Sequence, residues 1–215
     1  MKIRVSTLSD LKAIAACYQR AFPGSLSTAM GHVYVCKMME WFMLTKHNFI
    51  FQLDDDQGNL VGFCGGMLND GIHPRGSASE MIQYSFNEGV KSILKQPWLV
   101  FHKEMRAKYG LAFKNIATRL TNALGSGKPK KYYKPGAVEP HAGLVVIAIE
   151  PMFQGKGLAT ILLDEFERYT IDSGLRAMKL SVKADNAQAI KSYIRNGWEI
   201  YDNRGHSVSM IKRLI

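Results

Sequence analysis

A glycine-rich turn between a predicted strand and a predicted helix is the stretch of this sequence best suited to binding an anion. The turn, Gln154-Gly155-Lys156-Gly157, follows the apolar and largely β-branched run of residues 145–149. Apolar residues recur at helical spacing from Leu158 onward. The first N–H groups of a helix have no internal partner, and the helix dipole favours negative charge there. The two glycines let the backbone approach a phosphate closely.

Three kinds of phosphate site share this strand–turn–helix arrangement. A dinucleotide site needs Gly-x-Gly-x-x-Gly, but Thr160 stands where the third glycine belongs. A Walker loop needs Gly-x-x-x-x-Gly-Lys-Ser/Thr, and Met152 replaces its first glycine. An acyl-CoA pyrophosphate site of the pattern Gln/Arg-x-x-Gly-x-Gly/Ala is matched by Gln154, Gly157 and Ala159. The turn alone also fits an ordinary strand-to-helix connection, so the alternatives stay open at this point.

A second pattern downstream favours the acyl-CoA interpretation. It reads Asn186-x-x-Ala189-x-x-x-Tyr193-x-x-x-Gly197-Trp198, on a helix that begins at the asparagine and ends at the glycine. The two patterns, in this order, resemble the GNAT acetyltransferase superfamily, with Trp in place of the usual Phe. The resemblance covers residues 1–71 and 142–215 and leaves about 72–141 unmatched.

This resemblance implies a mixed α/β (α+β) fold, in which a mostly antiparallel central sheet has splayed middle strands and flanking helices. It implies acetyl-CoA as the acetyl donor and no metal. The pantetheine arm would lie along the backbone of Ile147, Ala148 and Ile149, where an N–H can stabilise negative charge on the acetyl oxygen. The remaining cofactor residues implied by the resemblance are Asn186 and, in the turn, Gln154, Gly155, Lys156, Gly157, Leu158 and Ala159.

The resemblance also suggests the catalytic residues. Tyr193 would face the departing sulfur, because a phenol with a pKa near ~10 is protonated at neutral pH and can donate to a thiolate. The alternative is a core tyrosine on an amphipathic helix. Some relatives carry a Glu base where this chain has Gly143. His141, just upstream, has a suitable intrinsic pKa and is the candidate base; a water chain or a deprotonated acceptor are the alternatives.

The apolar periodicity predicts the elements that must position these residues. The predicted strands lie at about 3–6, 49–53, 60–66, 145–149, 178–182, 198–201 and 208–211. The predicted helices lie at about 10–22, 28–45, 79–94, 98 or 101 to 124, 157–173 and 186–196.

Residues 72–141 are predicted to be a basic, largely helical insertion between the third and fourth strands of a single domain, 1–215. They hold twelve Lys or Arg and four Glu, and so carry +8 of the chain's net charge of +10. Residues 128–135, rich in lysine and proline, predict an extended or flexible loop. Such a positive segment attracts an anionic partner, or it is a solvated basic face.

The leading interpretation is therefore an N-acetyltransferase that acts by direct attack of a primary amine on acetyl-CoA. The favoured acceptor is a small anionic molecule, such as a nucleotide-linked amino sugar or a phosphorylated metabolite. The alternative is that the acceptor is a protein N-terminus or lysine, or that the insertion binds a membrane surface or nucleic acid.

The remaining expectations concern location and partners. No apolar run approaches the length of a membrane span, and three widely spaced cysteines predict buried thiols in a reducing cytoplasm. Nucleic acid is not an expected partner, whereas peripheral membrane contact and a homodimer are compatible with the sequence.

Overall fold

The computed structural model describes residues 1–71, 78–106 and 139–214, and seven strands in these ranges form one sheet. In chain order they are Lys2–Val5 (β1), Asn48–Asp54 (β2), Leu60–Asn69 (β3), His141–Ile149 (β4), Ala177–Lys183 (β5), Glu199–Asn203 (β6) and Ser207–Arg213 (β7). Their spatial order is β1-β2-β3-β4-β5-β7-β6, and every neighbouring pair is antiparallel except β4 and β5. The predicted α/β fold with a mostly antiparallel sheet is confirmed.

The helices of the described residues are distributed over both faces of this sheet. They are Leu11–Ala21 (α1), Leu26–Ala29 (α2), His32–Glu40 (α3), Ala78–Tyr84 (α4), Phe86–Lys95 (α5), Lys103–Arg106 (α6), Leu158–Asp172 (α7) and Ala187–Arg195 (α8). Four 3₁₀ turns lie at Leu8–Asp10, Trp41–Met43, Pro97–Phe101 and Pro151–Phe153.

Two hydrophobic cores, one on each face, hold the sheet in place. On one face α7 and α8 cover residues such as Phe51, Cys64 and Leu144. On the other, α1 and α3 cover residues such as Ile50 and Phe63, and α4 and α5 pack against α3 from outside. The alternation of strand side chains between these two cores is the period-2 pattern that the sequence shows.

Several predicted boundaries are wrong. The helix expected at 28–45 is broken at Gly31, whose φ of +96° is a conformation that other residues rarely adopt. The helix expected at 79–94 is two helices that meet at Ser85. β4 begins at His141, four residues earlier than expected, and Cys36 is only partly buried. The predictions for 107–138, including most of the helix to 124 and the loop 128–135, lie outside the described residues.

Candidate active site between two diverging strands

The parallel strands β4 and β5 are joined over a short distance and then separate. Their pairing covers only Ala142, Gly143 and Leu144 of β4. Beyond this point β4 continues to pair with β3 as far as Ile149, while β5 continues to pair with β7. Among the described strands, the backbone groups on the β5 side of residues 145–149 therefore have no partner, and the strands diverge at Ile147, Ala148 and Ile149.

A β-bulge marks the point of divergence. Gly65 of β3 pairs with Val146 and Gly66 pairs with Leu144, so Val145 is an extra residue in β4. As a result Val145 and Val146 both pack toward the α1/α3 core, and Ile147 returns to the α7/α8 core. A bulge bends its strand and increases its local twist, which separates β4 from β5.

The glycine turn lies directly after the open end of β4. Gly155 and Gly157 have φ values of +76° and +80°, and a Cβ added to either would meet nothing within 4 Å. Gly157 is the N-cap of α7, and no backbone hydrogen bond of the described residues uses the N–H groups of 155–159. The turn thus presents adjacent free N–H donors to open space at the positive end of a fifteen-residue helix.

Two side chains of the turn have structural contacts. The Gln154 side-chain amide donates a hydrogen bond of 3.0 Å to the Ile149 carbonyl, which ties the turn to the end of β4. The Lys156 ammonium lies 5.0 Å from the centre of the Phe153 ring, and the lysine remains exposed. Leu158 is buried and Ala159 packs against the same core, so they anchor the first turn of α7.

The second sequence pattern fixes both ends of α8. The Asn186 side chain accepts a hydrogen bond from the N–H of Ala189, as an N-cap. Gly197, at φ +80°, ends the helix, and the N–H of Trp198 donates to the Tyr193 carbonyl. The Trp198 ring is buried and packs edge-on against the Tyr193 ring at a centroid distance of 5.8 Å. Both ends of α8 are therefore fixed by local hydrogen bonds, and the Tyr193 ring packs against the residue that follows the helix.

Tyr193 reaches from α8 to the middle of the sheet. It is 9% exposed, and its hydroxyl has no hydrogen-bond partner within the described residues. Burial raises the pKa of Tyr193 to about 12, and the Cys64 thiol is the second cause. Cys64 pairs with Ile147 across β3 and β4 and belongs to the same buried cluster as Tyr193.

His141 lies at the closed end of the strand pair. Its ring is buried, and Nδ1–H donates a 2.8 Å hydrogen bond to the Glu139 carbonyl, which leaves the lone pair on Nε2. Burial lowers the pKa of His141 below its ordinary value, and the hydrogen bond to Glu139 opposes this shift. Val145 lies four positions after His141, roughly 13 Å along an extended strand, so direct contact of His141 with chemistry at the bulge is excluded.

The side chain of Met67 lies against Gly143, the position at which the sequence resemblance suggests a glutamate base in some relatives. A Cβ on Gly143 would lie 2.7 Å from the Met67 methyl group of the paired strand. The glycine therefore accommodates Met67, and an acidic residue would require that methionine to move.

Two ion pairs at the open end of the splay were not predicted. Arg20, near the end of α1, binds the buried carboxylate of Glu150 with two hydrogen bonds of 2.8 and 2.6 Å. This pair holds the end of α1 beside the end of β4. Glu104 of α6 accepts a 2.9 Å hydrogen bond from the N–H of Leu26, which begins α2, and its other oxygen pairs with Lys183 at the end of β5. These contacts join residues 130 and 79 positions apart, which no local pattern could have indicated.

Part of the sequence is similar to a known protein family. A model of the acetyltransferase (GNAT) family matches residues 101–198, which include β4, the glycine turn and α8. The match begins inside the segment that the two sequence patterns had left unmatched. Over residues 101–198 the chain is similar to the acetyltransferase (GNAT) family.

Individual relatives share either part of the sequence or the fold. Mycothiol acetyltransferases of Rhodococcus opacus and Rhodococcus erythropolis are 45% and 36% identical over 62 and 70 residues, which is 28% and 32% of this chain. These matches span 20% and 23% of those proteins.

Solved structures agree over nearly the whole chain at low identity. The PaiA N-acetyltransferase of Thermoplasma acidophilum, in complex with coenzyme A, has a TM-score of 0.55 and 13% identity, with 99% of both chains covered. The ribosomal-protein-S18-alanine N-acetyltransferase of Escherichia coli has a TM-score of 0.55 and 17% identity, covering 99% of this chain and 93% of its own. At such identities the likeness establishes the fold alone.

Proposed function

We propose that this chain is an N-acetyltransferase that transfers the acetyl group of acetyl-CoA to a primary amine. The observation that carries the proposal is the divergence of β4 from β5 immediately before a turn with free N–H groups. The open edge of β4 therefore leads directly into the anion site of the turn. The similarity of residues 101–198 to the acetyltransferase (GNAT) family supports the same activity.

The donor fits the residues that are present. Its pyrophosphate would be held by the N–H groups of Gly155 to Ala159, since a Cβ at either glycine would narrow the open space there. Lys156 adds a positive charge, and the backbone of Ile147, Ala148 and Ile149 offers groups for the amides of the pantetheine arm. The bound donor supplies an activated acetyl thioester. Asn186 contributes by capping α8, and its exposed side-chain amide is available to the ligand.

Tyr193 acts as the general acid. The amine nitrogen attacks the acetyl carbonyl, an amide bond forms and the thioester C–S bond breaks. The phenol donates a hydrogen bond and then its proton to the departing sulfur. Its raised pKa keeps this proton in place at neutral pH.

The amine loses its proton to His141 through ordered water. Nε2 carries a lone pair at neutral pH, because the Nδ1 proton is held by the Glu139 carbonyl. The separation of roughly 13 Å from the bulge requires a relay of water molecules. A solvent base acting on an acceptor that binds deprotonated is the competing route.

The acceptor enters from the α1/α2 side of the splay, beside α6. It is a small anionic amine, such as a nucleotide-linked amino sugar or a phosphorylated metabolite. Support comes from Lys103 and Arg106 of α6, which are exposed and have no ion-pair partner among the described residues, and from the +8 charge of residues 72–141. A protein N-terminus or lysine is the competing acceptor class.

A thiol-release assay with acetyl-CoA and a panel of amines tests the function. The panel contains phosphorylated amino sugars, nucleotide-linked amino sugars, polyamines, an N-terminal peptide and a lysine peptide. We expect acceptor-dependent thiol release with the anionic amines and an acceptor KM that rises with salt. Turnover with polyamines or peptides alone would contradict the acceptor class, and no release with any amine would contradict the activity.

A further inference from the structure

A row of large apolar side chains is exposed on α5 and on the 3₁₀ turn that follows it. Leu94, Trp98 and Phe101 are 74%, 64% and 75% exposed, and Val90 is exposed to a smaller extent. Val90 and Leu94 are one helical turn apart, and residues three apart in a 3₁₀ turn lie on the same side. We call these four residues the apolar stripe.

The apolar stripe belongs to a segment whose other residues are well packed against the core. Between its members lie residues that face inward. Leu99 is 3% exposed in the α1/α3 core, and Gly89 is buried, with Tyr34 placed 3.2 Å from where a Cβ would lie. The Pro97–Phe101 turn therefore presents Trp98 and Phe101 outward while its own Leu99 is anchored in the core.

Positive charge surrounds the stripe. Lys95, Lys103 and Arg106 are exposed and have no ion-pair partner in the described residues, whereas Lys91 pairs with Glu88. An exposed combination of Trp, Phe and Leu beside unpaired cations matches the polar–apolar boundary of a bilayer with anionic lipids.

We propose that the apolar stripe docks this protein on an anionic lipid surface, a property beyond acetyl transfer that shares Lys103 and Arg106 with the proposed acceptor side. No helix of the described residues is long and apolar enough to cross a bilayer, so the contact is peripheral. Nucleic acid fits the stripe less well, because Val90 and Leu94 are aliphatic and offer no surface for stacking on bases. A bilayer accommodates all four side chains, with the lysines at the level of the headgroups.

The fluorescence of Trp98 provides a direct measurement on the 215-residue chain. Of its three tryptophans, Trp41 and Trp198 are buried in the cores and Trp98 alone is exposed. We expect a blue shift of the emission on adding vesicles of equal amounts of phosphatidylserine and phosphatidylcholine. Vesicles of phosphatidylcholine alone should cause little shift, and salt should reverse the effect.

Vesicle sedimentation with variants locates the contact. W98A/F101A should reduce partitioning roughly tenfold or more, since two large apolar side chains leave the interface. The matched control is I200A/Y201A, which removes two exposed apolar side chains from β6 and should bind as the wild type does. Circular dichroism confirms that each variant is folded.

Three results would overturn the proposal: no blue shift and no sedimentation, equal binding by W98A/F101A and the wild type, or equal binding to both kinds of vesicle. Preferential binding of a single-stranded RNA that competes with vesicles would overturn it too, in favour of nucleic acid.

Discussion

Glu104 of α6 forms an ion pair with Lys183 at the end of β5 and accepts a hydrogen bond from the N–H of Leu26 at the start of α2. One carboxylate therefore joins α6, which lies within residues 72–141, to the start of α2 and to the end of β5. We propose that α6 lies beside the acceptor site.

Replacing Glu104 by Gln should weaken acceptor binding. The variant keeps an oxygen for the Leu26 N–H but loses the charge that pairs with Lys183. We expect the acceptor KM to rise about three- to tenfold, which corresponds to about 1 kcal/mol, with the KM for acetyl-CoA unchanged. Steady-state kinetics with each substrate varied in turn measures this. Glu88→Gln, which breaks the Glu88–Lys91 pair in the same segment, is the matched control and should leave both constants unchanged.

Tyr193→Phe should separate chemistry from packing. The ring contact with Trp198 is retained and a hydroxyl without a partner in the described residues is lost, so the free energy of unfolding should change by less than about 0.5 kcal/mol. Turnover should fall by about 10²-fold or more. Tyr169→Phe, on α7 beside Phe49, is the control. Full turnover of Tyr193→Phe would exclude the general-acid role.

The pH profile gives an independent check on the same residue. Because burial raises the pKa of Tyr193 to about 12, the phenol stays protonated throughout the neutral and mildly alkaline range. No loss of kcat from this group is expected until the pH approaches about 12. A decrease in kcat near pH 10 that disappears in Tyr193→Phe would show that the pKa of Tyr193 is not raised.

Alanine substitutions at two glycines with the same backbone conformation can separate an effect on donor binding from an effect of backbone strain on stability. Gly157 and Gly174 both have a positive φ and open space, at opposite ends of α7. Alanine at either should cost about 1 kcal/mol of stability. Only Gly157→Ala should also raise the KM for acetyl-CoA, by about tenfold, because it alters the N–H donors of the turn. An equal effect of Gly174→Ala on that KM would show that lost stability is the cause.

His141 should make stability depend on pH. Its pKa is lowered in the folded chain, so the unfolded chain binds a proton there more readily. The stabilisation is present above the ordinary pKa of about 6.5 and is lost as the pH falls through the lower folded-state pKa. Urea unfolding from about pH 8 to about pH 5 should show this loss, with a weaker dependence in His141→Gln.

His206→Gln, an exposed turn variant, is the control and should follow the wild type. If His141 is also the base, kcat of His141→Gln should fall while the KM for acetyl-CoA is retained.

The elements near the donor site could be predicted because each depends on local chemistry. The glycine turn indicates where α7 begins. An asparagine and a glycine indicate the two ends of α8. The helix break at Gly31 also depends on a single local residue. It was not predicted, because the apolar residues around this glycine recur at helical spacing. The same holds for the break at Ser85.

The acceptor side could not be predicted, because it depends on contacts between distant segments. The bulge at Val145 arises from pairing with β3, and five consecutive apolar residues give no alternation from which to detect it. Glu104 and Lys183 meet only after the sheet has formed. The base, the acceptor and the role of the insertion are therefore the parts of the function that the sequence leaves open, and the cytoplasmic location stays a prediction.

The fit between Gly143 and Met67 has an evolutionary consequence. Because the methionine methyl group occupies the place of a Cβ on the adjacent strand, the two positions should covary among related sequences. Relatives with a carboxylate at the glycine position should carry a smaller residue in place of the methionine. A glutamate placed at this position in this chain would require the Met67 side chain to adopt another rotamer, because its methyl group would lie 2.7 Å from the added Cβ.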